Sequence, residues 1–317
     1  MATASHSIPE TRKPRPDAPV VIRAADLPLN AVEKPVALAV IREVAGPSYR
    51  PAGAAMVLGA DGTVAGNLSS GCIDADIALH AQEVAATGGW KVLRYGRGSA
   101  FMDLQLPCGG GLEVLIVPVR HPLGKLLEAL EARTPLDLRL TPEGPVSNAS
   151  ADLECLMHLH VEPDIRFAVF GKGPEARAFA QMTAGAGYDT LLVTAEDEMP
   201  APMARLQLRP LRPGAVTFDQ DPNTAVVLFF HDHDLEPGIL QAALAGPAFY
   251  IGAQGSRRTA ERRIAGLRAA GMTEADCLRL RGPIGLIPST RDPRTLAVSV
   301  LAEVLAEAVG RSGTCGL

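Results

Sequence analysis

A glycine-rich turn in the second half of the chain constrains the fold more than any other feature of the sequence. The spacing G-x-G-x-x-A is formed by Gly171, Gly173 and Ala176, between a predicted strand at 166–170 and a predicted helix at 176–185. The first glycine allows a tight turn, the second lets the backbone approach a phosphate, and the alanine lets the helix pack closely on the strand. A turn of this kind in this position is typical of a doubly wound parallel sheet.

The rest of the second half alternates between strands and helices in the same way. Further apolar strands are predicted at 190–193 and 225–230, and further helices at 257–271 and 293–309. Continuous apolar strands that alternate with helices indicate a parallel sheet covered on both faces. We therefore predict an α/β protein with a C-terminal Rossmann-like parallel-sheet domain over residues 164–317.

The first half predicts a smaller domain of a different kind. Strands are expected at 35–44, 54–58 and 112–119, and a helix at 73–86 is the one clear helical pattern between them. Glycine-rich turns, rather than helices, connect most of these strands. We predict an α+β domain, rich in glycine and cysteine, over residues 35–133.

Length and local composition set the remaining boundaries. A chain of 317 residues exceeds the usual size of one domain, so two domains are expected. Residues 1–34 are predicted to form a flexible N-terminal tail. Residues 134–163 begin with a stretch dense in proline, glycine, serine and asparagine, which predicts the linker.

Charge, hydropathy and cysteine usage exclude several classes of protein. A formal net charge of -5 and a pI near 5.8 disfavour nucleic-acid binding, which needs a concentrated basic surface. No apolar run approaches the roughly 20 residues that cross a bilayer, and no signal-peptide pattern begins the sequence. The five cysteines contain no CxxC pair, which disfavours a disulfide framework and a zinc ribbon. We expect a cytoplasmic protein without a membrane span.

Three segments of the first half concentrate polar residues among glycines: 48–54, 66–74 and 107–113. Such turns can present several N–H groups to an anionic ligand. Cys72 lies at the predicted start of a helix, where the helix dipole favours a thiolate that could bind a soft metal or sulfur. The alternative is that Cys72 and Cys108 are small core residues beside tight turns.

Three further candidates come from charged or metal-binding residue types. His231-Asp232-His233-Asp234 follows a predicted strand and fits either a metal site or a solvated loop. Ser256 is a natural helix N-cap, and Arg257 and Arg258 beside it suit a phosphate. The competing interpretation is an exposed basic helix face that continues through Arg262 and Arg263, and Arg50 is a further candidate for binding an anion.

The dinucleotide-type turn leaves NAD(P) or another nucleotide open as a cofactor. An acidic residue that holds the ribose is expected at the end of the second strand, but Thr194 stands there, with Glu196 and Asp197 slightly beyond it. Pro174 also removes a backbone donor unless it begins the helix. An NAD(P)-dependent oxidoreductase that uses the turn at Gly171 is therefore the alternative function.

Taken together, these segments resemble the signatures of the XdhC/CoxI family of xanthine dehydrogenase accessory proteins. The three first-half segments are similar to its Gly-Ala, Gly-Gly-Cys-x-Glu and Cys-Gly-Gly turns, with Ser70 and Asp74 in place of a family glycine and glutamate. In the second half, 250–258 resembles Tyr-x-Gly-x-x-Gly-Ser-Arg-Arg, and 281–286 resembles Pro-Ile-Gly-Leu. A segment at 297–303 resembles the closing helix of the family.

The resemblance implies a chaperone that handles the molybdenum cofactor (molybdopterin) and has no catalytic residue of its own. Family members are taken to bind the cofactor and to allow sulfuration with a cysteine desulfurase. They then pass the cofactor to a xanthine dehydrogenase-type molybdenum hydroxylase. We therefore expect that hydroxylase and a cysteine desulfurase as partners, and by analogy a homodimer. An assembly scaffold that binds no small molecule is a third possibility.

The resemblance also implies which residues form the site. The family cysteines fall on Cys72 and Cys108, which are expected to bind the metal and line the cofactor site. The other expected cofactor-binding residues are Arg50, Gly71, Asp74, Gly109, Gly110, Gly171, Gly173, Ser256, Arg257 and Arg258.

Overall fold

The computed structural model describes residues 18–71, 73–96, 109–147, 153–212, 217–230 and 235–311 of the chain. The chain divides into two compact units, Met1–Pro163 and Asp164–Leu317. The described residues form two sheets in the first unit and one in the second. Among the described residues, no helix is both long enough and apolar enough to span a membrane.

The described residues of the first unit form two sheets and two α-helices. A five-stranded antiparallel sheet has the order β4-β3-β2-β6-β5, and a four-stranded sheet has the order β1-β9-β7-β8, in which β1 and β9 are parallel. The elements are β1 (Val20–Arg23), β2 (Pro35–Ala45), β3 (Ala55–Gly59), β4 (Val64–Gly66), α1 (Asp74–Thr87), β5 (Lys91–Gly96), β6 (Gly111–Pro118), α2 (Gly124–Glu131), β7 (Leu136–Thr141), β8 (Gly144–Ser147) and β9 (Met157–Glu162).

The five-stranded sheet lies between a helix and the other sheet. Every residue of β6 is buried, and successive side chains point to opposite faces. Ile116 belongs to a core with Ile77 of α1, whereas Leu115 belongs to a second core with Leu138 and Leu159 of the four-stranded sheet. The first unit is therefore a three-layer α+β structure.

Two segments differ from the sequence prediction. Residues 18–34, expected in the tail, form β1 and two short 3-10 turns that bury Leu27 and Leu29 completely or nearly so. Residues 134–163, expected as the linker, contain β7, β8 and β9. Both segments belong to the fold because their apolar side chains cover the second face of the five-stranded sheet.

The second unit is built on one six-stranded sheet in which all strands are parallel, with the order β12-β11-β10-β13-β14-β15. The elements are β10 (Arg166–Gly171), α3 (Pro174–Gly185), β11 (Asp189–Thr194), β12 (Leu206–Pro210), β13 (Thr224–Phe229), α4 (Glu236–Ala245), β14 (Tyr250–Ala253), α5 (Arg257–Ala269), α6 (Glu274–Leu278), β15 (Leu280–Arg281) and α7 (Pro293–Arg311).

This strand order confirms the predicted Rossmann-like domain. If the strands are numbered from β10 as the first, their order across the sheet is 3-2-1-4-5-6. The order changes direction between β10 and β13, which is the topological switch point of such sheets. Helices cover both faces: Phe179 of α3 and Val300 of α7 pack on one face, and Leu240 of α4 and Leu267 of α5 pack on the other. Ligands of such sheets bind at the carboxyl ends of the strands.

Candidate functional site

The three glycine-rich segments of the first unit meet the five-stranded sheet at one end. Strands β2, β4 and β5 run in one direction, and β3 and β6 run in the opposite direction. Strands β2, β4 and β5 therefore finish at the end where β3 and β6 begin. We call this end the glycine end and define it by residues 46–54, 66–71, 73–74 and 109–113. The topology thus brings together motifs that lie up to about 60 residues apart in the sequence.

Two of these segments touch through their backbones. A Cβ atom on Gly110 would lie 2.0 Å from the carbonyl oxygen of Pro47 and 3.2 Å from that of Ala45. Because real Cβ atoms do not come that close to a carbonyl oxygen, only glycine fits at this position. The loop after β2 and the start of β6 are therefore in direct contact.

Two side chains fold the segment that precedes α1. The Oδ1 atom of Asp74 accepts hydrogen bonds from the N–H groups of Leu68 and Ser69, at 3.1 and 3.0 Å. The Ser69 hydroxyl oxygen accepts from the N–H groups of Gly71 and Ile73, at 3.1 and 3.3 Å. Asp74 and Gly71, which are predicted to contact the cofactor, both help to fix the loop.

Arg50 lies at the glycine end with one donor unused. Its Nη2 atom donates to Oδ1 of Asp26 at 2.8 Å, and Asp26 belongs to a short 3-10 turn after β1. Its Nε atom is buried and has no hydrogen-bond partner among the described residues. Because a buried unpaired donor is costly, this N–H group suits an acceptor on a ligand.

A carboxylate bound by two arginines lies where the third glycine segment enters β6. Glu113, which is 8% exposed, accepts from Nε of Arg42 and from Nη2 of Arg94, each at 2.6 Å. Burial alone would raise the pKa of Glu113, but the hydrogen bonds and charges of Arg94 and Arg42 outweigh burial and lower the pKa. The sequence does not reveal this group, because Arg42 and Arg94 come from the two neighbouring strands, β2 and β5.

Replacing Glu113 with glutamine should destabilise the protein by about 1–2 kcal/mol at pH 7, because Arg42 and Arg94 lose their anionic partner. The folded-state pKa of Glu113 is below the ordinary value of 4.5. The stabilisation by the ionised Glu113 is therefore fully present above pH 4.5. It is lost as the pH falls through the folded-state pKa of Glu113. Urea unfolding of both proteins at about pH 7 and about pH 3 should show a difference that shrinks in acid. A difference of equal size at both pH values would contradict this assignment.

In the second unit, the predicted turn lies at the carboxyl end of β10. A Cβ atom on Gly171 would lie 2.2 Å from the carbonyl oxygen of Phe229 and 3.0 Å from Cβ of Ala176. Glycine at this position therefore allows β10, β13 and α3 to approach one another. Gly173 has a positive φ of 93°, and Pro174 begins α3, where its missing N–H is tolerated.

The phosphate position of this turn is taken by a carboxylate of the protein. The N–H group of Gly173, which faces a phosphate in dinucleotide-binding turns, donates to Oε2 of Glu198. A Cβ on Gly173 would also lie 3.2 Å from Oε2 of Glu175, so a second carboxylate is close by. The sequence pointed to Glu196 and Asp197 in this loop, and the residue that reaches the turn is Glu198. Two carboxylates at the turn oppose the binding of a phosphate.

Replacing Glu198 with alanine should raise the affinity for NADH about tenfold, because the competing carboxylate is removed. Titration followed by nicotinamide fluorescence measures this directly. Glu196→Ala is the matched control, because Glu196 is exposed on the same loop and the N–H group of Gly173 donates to Glu198 instead. Tight NADH binding by the wild type, or equal affinity in all three proteins, would show that Glu198 does not close the turn.

The basic motif of the second unit begins α5. The Ser256 hydroxyl oxygen accepts from the N–H group of Thr259 at 3.1 Å, which confirms the predicted N-cap. Arg257 and Arg258 are exposed. Neither makes an ion pair within the described part of the chain.

Arg263 does not continue this exposed face, contrary to one interpretation of the sequence. Its side chain is 6% exposed and that of Glu236 is 2% exposed. The Nε and Nη2 atoms of Arg263 donate to the two carboxylate oxygens of Glu236 at 2.8 and 2.6 Å. Nη2 also donates to the carbonyl oxygen of Gln254 at 2.6 Å. The pair therefore supports the turn that leads into Ser256.

The predicted site residues that the structure describes lie in two places, and the other predicted residues lie outside the described part of the chain. The glycine end contains Arg50, Gly71, Asp74, Gly109 and Gly110, and the carboxyl edge of the second sheet contains Gly171, Gly173, Ser256, Arg257 and Arg258. Cys72, Cys108 and His231-Asp232-His233-Asp234 lie outside the described residues. Within the residues that the structure describes, no group of three or more His, Cys, Asp or Glu side chains could hold a metal ion.

Most of the chain is similar to proteins of one family. Residues 30–96 match the XdhC and CoxI family, and residues 167–304 match the XdhC Rossmann domain. The chain is 34% identical over 285 residues to the molybdenum cofactor insertion chaperone PaoD of Escherichia coli K12, covering 86% of this chain and 83% of that protein.

Two less similar proteins also align with this chain over most of their length. A protein of Bacillus subtilis, named as a probable subunit of xanthine dehydrogenase, is 24% identical, covering 84% of this chain and 92% of that protein. A crystal structure described as a xanthine dehydrogenase from Bacillus halodurans superposes with a TM-score of 0.67 at 23% identity. The superposition covers 88% of this chain and 93% of that chain, and at this identity it establishes a shared fold. Both halves of the chain match this family, and PaoD is 34% identical to the chain over most of the length of both proteins. The chain therefore belongs to the XdhC/CoxI family.

Proposed function

We propose that the protein is a molybdenum cofactor chaperone and that the cofactor, its cargo, binds at the glycine end of the first unit. The observation that carries the proposal is the convergence of three glycine-rich segments on one end of one sheet. Two of these segments contain Cys72 and Cys108 in the sequence. The relationship to a molybdenum cofactor insertion chaperone supports the same function.

The groups at the glycine end suit the chemistry of this cargo. The cofactor is a pterin that carries molybdenum through sulfur atoms and ends in a phosphate. The unpaired buried Nε–H group of Arg50 fits an oxygen or nitrogen acceptor on the pterin or phosphate. Glycine has no side chain that would block a ligand, so the glycine-rich segments allow the flat pterin ring to approach the backbone closely. Thiolates are soft ligands, so the two cysteines suit molybdenum or its sulfur ligand.

The proposed role consists of carrying and protecting the cofactor before it enters a client enzyme. We propose a xanthine dehydrogenase-type molybdenum hydroxylase as the client, in line with the relatives named above. We further propose that the bound cofactor is sulfurated with a cysteine desulfurase and that the carrier acts as a homodimer. Because Glu198 takes the phosphate position of the second-unit turn, we do not propose an NAD(P)-dependent oxidoreductase.

Replacing either Cys72 or Cys108 with alanine should lower the retained molybdenum and pterin at least about tenfold, as expected for the loss of a ligand to the cargo. The proteins are purified from a host supplied with molybdate, and molybdenum and oxidised pterin are quantified per chain. Cys155→Ala is the matched control, because Cys155 is an exposed free thiol beside β9. It should retain as much cofactor as the wild type.

The result that would contradict the proposal is negligible cofactor in the wild type and in all three variants. In that case an assembly scaffold without a small-molecule ligand would be the better description. A scaffold of this kind should still capture the client hydroxylase when the wild-type protein is purified from a host that cannot make the pterin.

A further inference from the structure

A groove between α4 and α5 of the second unit has no role in the function proposed above. It encloses about 250 Å³. Its apolar lining comes from Pro237, Leu240 and Leu267, and its polar lining includes Gln241 and Arg262. The groove is open because Gly266 lines it without a side chain, and a Cβ atom there would meet no other atom within 4 Å.

The size of the groove favours a single side chain over a small-molecule ligand. Sites for small organic molecules usually enclose about 300–1,000 Å³. A volume of 250 Å³ suits one bulky apolar side chain inserted from outside. Insertion of apolar anchors between helices is a common way in which proteins recognise a short segment of a partner.

The charge around the groove selects the kind of segment. Arg263 lines the groove but is neutralised by Glu236. Arg262 lines the groove with an exposed side chain, and Arg258 lies one helical turn before it on the same face of α5. Neither Arg258 nor Arg262 forms an ion pair with any residue that the structure describes. The chain as a whole has a net charge of -5, so this basic surface is a local feature.

We propose that the α4–α5 groove is the docking site for an acidic segment of another protein. The segment inserts one bulky apolar side chain between Leu240 and Leu267 and places carboxylates against Arg258 and Arg262. The apolar anchor provides most of the affinity, and the arginines select acidic over basic partners. This inference is independent of cofactor binding at the glycine end.

The test measures the binding of three fluorescein-labelled helical peptides to the full chain by fluorescence anisotropy. One peptide consists of glutamate and alanine with a central phenylalanine. The second has alanine in place of the phenylalanine, and the third has lysine in place of each glutamate. We expect the first peptide to bind at least about tenfold more tightly than the other two.

Variants of the chain locate the binding. Gly266→Phe fills the groove and should abolish binding, whereas Gly266→Ala leaves the groove open and should bind normally. Arg262→Glu should weaken binding at least about tenfold. Arg294→Glu changes the net charge equally at an exposed residue of α7 and should have no effect. Circular dichroism checks that each variant is folded, and Arg262→Glu tests the site even if Gly266→Phe does not fold.

Several results would overturn the proposal. These are no measurable binding of the first peptide, equal binding of all three peptides, or unchanged binding by Arg262→Glu. Binding of free 3-phenylpropionate as tight as that of the peptide would instead identify a small-molecule site. Self-association of the wild type that Gly266→Phe removes would identify a contact between copies of this chain.

Discussion

Replacing Gly110 with alanine is expected to destabilise the protein by about 2–3 kcal/mol and to abolish retention of the molybdenum cofactor. The new Cβ would lie 2.0 Å from the carbonyl oxygen of Pro47. Because the clash is with backbone, no side-chain rotation relieves it, and the segments at 45–47 and 109–111 must separate. Urea unfolding measures the loss of stability, and molybdenum analysis of the purified protein measures retention.

Gly124→Ala is the matched control for this substitution. Gly124 also belongs to the first unit and begins α2, but a Cβ there meets no atom within 4 Å. Alanine should therefore be neutral or slightly stabilising at this position. If Gly110→Ala unfolded at the wild-type urea concentration and retained the cofactor, the contact between the two glycine segments would have no part in the site.

Replacing Arg263 with leucine is expected to destabilise the protein by about 3–5 kcal/mol, because it removes the cation that binds both carboxylate oxygens of the buried Glu236. The pair is almost fully enclosed, with side-chain exposures of 6% and 2%, so solvent screens the interaction little. The carbonyl oxygen of Gln254 loses its donor in the same variant. Chemical unfolding at neutral pH measures the change.

The double variant Glu236→Leu with Arg263→Leu separates the cost of an unpaired charge from the cost of lost packing. Most of the stability should return in the double variant, because both charges of the buried pair are then replaced by apolar side chains. If Arg263→Leu alone cost less than about 1 kcal/mol, the pair would behave as a solvated surface ion pair. That result would contradict its burial between α4 and α5.

Half of the second unit could be predicted from the sequence because the signals of those elements are local. Strands β10, β11 and β13 contain short apolar runs, and the turn at Gly171 fixes where the first helix begins. The short strands β12 and β15, LQLRP and LR, carry no such run. The predicted helix at 293–309 matches α7 at Pro293–Arg311. In the first unit, the predicted strand at 35–44 matches β2 at Pro35–Ala45, because its apolar run is also continuous.

The four-stranded sheet of the first unit could not be predicted in the same way, because its pairing is distant. Val20 of β1 pairs with Leu159 of β9, almost 140 residues later in the chain. The alternation of apolar and polar residues in 157–162 is a strand signal. The preceding stretch rich in proline and glycine concealed that signal and suggested a linker.

The candidate site was predictable in composition but not in arrangement. Glycine-rich segments with polar residues were visible in the sequence, whereas their convergence depends on the antiparallel order of five strands. The partners of Glu113 are separated from it by 71 and 19 positions. Glu198 reaches Gly173 only because β10 and β11 are neighbours in the sheet. Such contacts follow from topology, which local patterns do not specify.

Hydrogen–deuterium exchange of the full chain, with and without bound molybdenum cofactor, tests the central claim most directly. The cofactor should slow exchange in peptides that cover 46–54, 66–74 and 107–113, because these segments form its proposed binding site. Exchange at 171–175 should remain unchanged. Protection confined to 171–175 and 255–258 in the second unit, or no protection anywhere, would contradict cofactor binding at the glycine end.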